Sequence, residues 1–154
     1  MTAPHAVLIG VGNPYRRDDG IGPAIVAAVG KLHLPGIVLT VSDGEPSQLL
    51  DAWSGADLAV VVDAVLCDPP EPGRIHRTTL GSAAPGPTVA STHGLGIPDA
   101  VRLAEALNRA PQRLVVFAVE AADIGFGLGL SPAVAASLPE LTRAVQAELA
   151  PGPA

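Results

Sequence analysis

Ala6-Val7-Leu8-Ile9-Gly10-Val11-Gly12-Asn13-Pro14-Tyr15-Arg16-Arg17-Asp18-Asp19-Gly20 reads as a strand running into a glycine turn and a polar excursion. Six apolar positions without alternation are the habit of a strand buried on both faces, as in parallel sheets. The pattern then turns helical from Ile21 to Leu32, with Ile25, Val26, Ala28 and Val29 facing inward. The same alternation continues along the chain. Strands are predicted at residues 36–41 and 58–62, an edge strand at 74–79, and a last strand at 114–119. Helices are predicted at 46–53, 97–107 and 132–149, with Pro46 in a first turn and Ser131 as N-cap before Pro132. Strands alternating with helices imply an α/β fold. The expectation is a single three-layer α/β/α domain over residues 1–150, with a mostly parallel sheet of about five strands. The Pro-Gly-Pro-Ala tail at 151–154 is expected to fray.

Composition narrows the function. The 154 residues are 48% apolar and only 3% aromatic, so Ala, Val and Leu must build the core. A formal net charge of −6 argues against nucleic acid as a partner, because phosphate neutralisation needs a basic face. No apolar run approaches the roughly 18 residues of a membrane span, and the opening residues carry no basic signal-peptide region. The single cysteine, Cys67, excludes an internal disulfide framework and fits a reducing cytoplasm. A low charge per residue permits a monomer or a weak dimer.

Three polar residues stand at the ends of apolar runs or in the loops after them. Asp19 follows the first strand, Asp63 closes Leu58-Ala59-Val60-Val61-Val62, and His93 sits in Ser91-Thr92-His93-Gly94-Leu95-Gly96. The carboxyl ends of strands are where open α/β sheets place their ligands. Two carboxylates and an imidazole suit a borderline divalent metal such as nickel or zinc. Each residue also has a plain structural role open to it. Asp18 and Asp19 together suit a helix N-terminus. Asp63 suits pairing with a backbone turn, and His93 suits a cap or loop. Asn13 is expected to bond its own turn, and Trp53 to pack in the core. Arg16 and Arg17 are loop charges or steer an acidic peptide.

Other chemistries lack their motifs. A dinucleotide-binding turn needs G-x-G-x-x-G, whereas Tyr15 occupies the sixth position after Gly10-Val11-Gly12 and two carboxylates follow. Asp43 after the second strand is all that remains of that pattern. There is no phosphate loop and no G-x-S-x-G elbow. Cys67 has no histidine close to it in sequence, and His5, His33 and His76 stand isolated.

The segment from Gly10 to Gly22 resembles the opening signature of the hydrogenase maturation proteases, endopeptidases that trim the C-terminal extension of the nickel–iron hydrogenase large subunit. The resemblance continues, in order, through Ser42-Asp43-Gly44, Val62-Asp63-Ala64, Ser91-Thr92-His93-Gly94-Leu95 and Gly129-Leu130-Ser131-Pro132. It implies that Asp19, Asp63 and His93 receive nickel carried by the large subunit precursor, with no organic cofactor. Asp19, Asp63 and Asp43 become the candidates for catalysis. Where relatives often read Asp-Gly-Gly-Thr, this chain has Asp43-Gly44-Glu45-Pro46, a change that reshapes the expected substrate groove. Two mechanisms stay open: nickel polarising the scissile carbonyl or a water, or nickel serving as an anchor while a carboxylate activates water. From another class, the same trio fits a non-catalytic nickel carrier or metal-dependent docking module. The absence of a His-rich or Cys-rich tract weighs against storage.

Overall fold

The computed structural model describes residues 6–79, 89–91 and 96–149. The strands are β1 (Ala6–Val11), β2 (Ile37–Ser42), β3 (Leu58–Cys67), β4 (Ile75–Thr79), β5 (Val89–Ser91) and β6 (Arg113–Glu120). The helices are α1 (Ile21–Gly30), α2 (Pro46–Trp53), α3 (Gly96–Ala106) and α4 (Pro132–Leu149), and a 3₁₀ turn (Arg17–Gly20) precedes α1. The main path of the sheet runs β2-β1-β3-β6-β4. β1, β2, β3 and β6 are parallel, while β4 pairs antiparallel with β6 and closes one edge. The expected α/β/α architecture is observed.

Strand alternation sorts the core into two layers. Ala6 and Leu8 of β1 and Val60 and Val62 of β3 pack with Ile21, Ile25 and Val29 of α1 and Leu141 and Val145 of α4. Val7, Ile9 and Val11, with Ala59 and Val61, pack on the other face with Leu49, Leu50 and Trp53 of α2 and Ala100 and Ala104 of α3. Trp53 is fully buried, as its spacing implied. β1 and α1 are held unusually close by two glycines. A Cβ on Gly22 would lie 2.3 Å from the carbonyl oxygen of Val11, and one on Gly10 would lie 2.2 Å from that of Gly22.

Several boundaries differ from expectation. α1 ends at Gly30 rather than Leu32, and Leu107 lies past the end of α3 with 52% of its surface exposed. β3 does not stop at Val62 but continues to Cys67. Asp63 interrupts the apolar run, yet Ala64-Val65-Leu66 restores the pattern and the ladder to β6 runs on to Val65. β5 was not expected at all. It pairs antiparallel with β3, matching Ser91 to Val65 and Val89 to Cys67. Since Val65 also pairs with Glu120 of β6, β5 must occupy the side of β3 that β1 leaves after Val62.

Candidate functional site

β1 is followed in space by β2 on one side and β3 on the other, and α1 and α2 lie on opposite faces of the sheet. The chain therefore diverges at the carboxyl ends of β1 and β3, the crevice in which doubly wound sheets bind ligands. Asp63 sits there. It lies one residue past the last β1–β3 pair, opposite Ala118 of β6, and only 1% of its surface is exposed. A carboxylate so deep in a strand requires compensation by hydrogen bonds or charge.

Asp19 lies on the 3₁₀ turn between β1 and α1. After β1 the backbone turns at Gly12, whose φ of +143° brings it against the 3₁₀ turn. A Cβ there would come within 1.8 Å of the Asp19 carbonyl oxygen. The Asn13 N–H donates to Asp19 Oδ2 at 2.9 Å, and the Asp19 side chain is buried with its residue 1% exposed. Asn13 closes its own turn, accepting the Tyr15 N–H on Oδ1 at 2.9 Å, as expected. The 3₁₀ turn packs against β3, so the elements bearing the two acids are in contact.

Asp18, the neighbour, points elsewhere. Its carboxylate accepts the N–H groups of Ala122 at 2.8 Å, Asp123 at 3.0 Å and Ser131 at 2.7 Å, and the Ser131 hydroxyl at 2.9 Å. The sequence suggested a cap for its own helix; instead Gly20 precedes α1 without any side-chain cap, and Asp18 pins the segment leading into α4. Ser131 directs its hydroxyl to Asp18, while its carbonyl accepts the Ala135 N–H at 2.8 Å and so begins α4. Arg16 and Arg17 are tied to the same segment. Arg16 Nε donates to the Ile124 carbonyl at 3.2 Å, and Arg17 Nε lies 3.5 Å from Asp123 Oδ2.

Asp43 follows β2 at the same end of the sheet, but it is exposed, and its Oδ1 accepts the Glu45 N–H at 3.0 Å. Glu45 in turn caps α2 by accepting the Gln48 N–H at 3.2 Å. His93 lies outside the described residues.

A second polar group escaped the sequence. His76 Nε2 and Glu120 Oε2 are 2.6 Å apart, and Glu120 Oε1 accepts the Glu71 N–H at 2.7 Å. Burial pushes the Glu120 carboxyl up, but the hydrogen bonds from His76, the Glu71 amide and Cys67 outweigh it and hold it below its ordinary value. Burial and the Glu120 charge both raise the Cys67 thiol. His76 is thus not isolated, nor does Cys67 lack a histidine neighbourhood. β6 brings them together.

The fold is a doubly wound α/β sheet with Asp19 and Asp63 buried on contacting elements near its switch point. Residues 35–148 match the family model described as HycI, hydrogenase maturation protease, and the chain belongs to that family of hydrolases. The matched span includes Asp43, Asp63 and His93 and begins after Asp19. The fold agrees with the hydrogenase maturating endopeptidase HybD of Escherichia coli, at TM-score 0.80 and 21% identity over 94% of this chain and 91% of that one. HybD from Thermococcus kodakarensis aligns at TM-score 0.73 and 21% identity, covering 94% and 99% of the two chains. The HycI maturation protease of the same organism aligns at 0.65 and 21%, covering 95% and 92%. No curated protein sequence matches the chain.

Proposed function

We propose that this protein is an endopeptidase that removes a C-terminal peptide from the nickel-loaded large subunit precursor of a nickel–iron hydrogenase. Asp19, Asp63 and His93 receive the nickel that the precursor carries. The observation that carries this is the pair of almost wholly buried carboxylates on contacting elements at the β1/β3 switch point. The family resemblance at Ser91-Thr92-His93-Gly94-Leu95 supports His93 as the third ligand.

Oxygen and nitrogen donors leave coordination positions for ligands that arrive with the substrate. A precursor lacking nickel forfeits those bonds and is held poorly, so the protease discriminates by differential binding. Exposed apolar side chains beside the crevice offer the precursor a surface: Tyr15 is 64% exposed, Phe126 89% and Leu128 70%. Leu128 also lines a cleft of about 320 Å³ with Pro14, Arg17 and Pro23. Asp43, exposed on the same end of the sheet, supports peptide binding or catalysis. The single cysteine fits action in a reducing cytoplasm.

Asp63→Asn separates recognition from chemistry. A variant that binds nickel-loaded precursor but leaves it uncut assigns Asp63 to the activation of water or of the carbonyl. Cleavage at the wild-type rate removes Asp63 from the mechanism. Stoichiometric nickel binding by the wild type, with no cleavage of any loaded cognate precursor, favours a carrier instead.

A further inference from the structure

We propose that Cys67, His76 and Glu120 form a second metal site, separate from the substrate-nickel crevice, that takes a zinc-like divalent ion. Three strands build it. Glu120 ends β6 opposite Val65, Cys67 ends β3 two residues further on, and His76 lies on β4 opposite Ala118. Paired residues share a face of the sheet, and alternate residues return to it. All three side chains therefore leave from the same side. One ligand atom from each lies within 4.8 Å of the other two.

The chemistry of the donors selects the ion. A thiolate with an imidazole and a carboxylate suits zinc and disfavours magnesium or calcium, which prefer oxygen alone. Around a tetrahedral zinc these three atoms would stand about 3.3–3.8 Å apart. The 2.6 Å contact between His76 Nε2 and Glu120 Oε2 therefore opens modestly on loading. The supporting shell is already in place. The Glu71 N–H holds Glu120 Oε1, which orients Oε2 toward His76, and the backbone pairs Gly73 N–H with the Glu120 carbonyl at 2.8 Å. The His76 side chain keeps 20% of its surface exposed and Cys67 is half-buried, leaving a way in and a position for solvent as fourth ligand. Binding releases the Cys67 proton to solvent and ties the β3–β4 connection to β6.

The site neighbours the crevice without sharing its residues. Asp63, Ala118 and His76 form one row across β3, β6 and β4, two strand spacings or roughly 10 Å. Cobalt(II) titration of the metal-stripped full-length protein distinguishes the two places, because only Cys67 gives a thiolate-to-cobalt charge-transfer band. The expected result is a one-equivalent band that zinc displaces, retained in Asp63→Asn and His93→Ala and lost in Cys67→Ser. His76→Gln should weaken zinc binding at least about tenfold. A wild type without the band, a band that survives Cys67→Ser, or a band abolished by Asp63→Asn or His93→Ala overturns the proposal. Should Cys67→Ser fail to fold by circular dichroism, X-ray absorption of the zinc-loaded wild type decides. One sulfur at about 2.3 Å upholds the site, and an all-oxygen-and-nitrogen shell refutes it.

Discussion

Asp18 and Asp19 are adjacent in sequence and do opposite work. Asp19 accepts the Asn13 N–H within its own turn, while Asp18 gathers donors from Ala122, Asp123 and Ser131 across more than a hundred residues of chain, up to 113 for Ser131. That division was not legible locally, since two acids before a helix look alike until the distant loop is folded onto one of them. Asp18→Ala leaves three backbone N–H groups and the Ser131 hydroxyl without their charged acceptor and should cost about 3 kcal/mol, measured by chemical denaturation. Glu120 predicts a pH effect. Its folded carboxyl is held below the ordinary 4.5, so its stabilisation is present above that value and is lost as the pH falls through the lower folded one. The stability gap between wild type and Glu120→Gln should therefore narrow on acidification below about pH 4.5. A gap that stays constant down to the acid transition would contradict the assignment.

Among the elements, strong local signals coincide with the observed bounds. α2 and α4 occupy the residues that their proline starts and apolar spacing indicated, and β1 follows its unbroken apolar run. β3 was cut short because Asp63 resembles an ending, although the polar residue marks the place where β1 stops and the crevice opens. β5, three residues in a small-residue stretch, has no pattern of its own and exists through pairing with β3. The Cys67–His76–Glu120 group was invisible for the same reason, since His76 and Glu120 meet across 44 residues through the β4–β6 ladder. The Gly10–Gly22 contact makes an element-scale prediction. Gly22→Ala forces β1 and α1 apart and should destabilise by about 1–3 kcal/mol. Unchanged thermal unfolding would mean that the helix shifts without cost.

At the scale of the molecule, the order β2-β1-β3-β6-β4 sets the ends of β1 and β3 side by side, with Asp63 one residue beyond their last pair. The architecture was legible from the sequence, and the family match over residues 35–148 agrees with the resemblance, although it does not reach the opening Gly10–Gly22 segment. Among the described residues, no helix is long and apolar enough to cross a membrane. What a sequence cannot convey is depth: Asp19 and Asp63 are each only 1% exposed. The central claim is that substrate nickel licenses cleavage at this crevice. Mass spectrometry of a cognate hydrogenase large subunit precursor, incubated with wild-type protein or His93→Ala, with and without nickel loading, tests it most directly. The account predicts loss of one short C-terminal peptide only from the nickel-loaded precursor and only with the wild type. Equal cleavage of the nickel-free precursor, or full cleavage by His93→Ala, would contradict it.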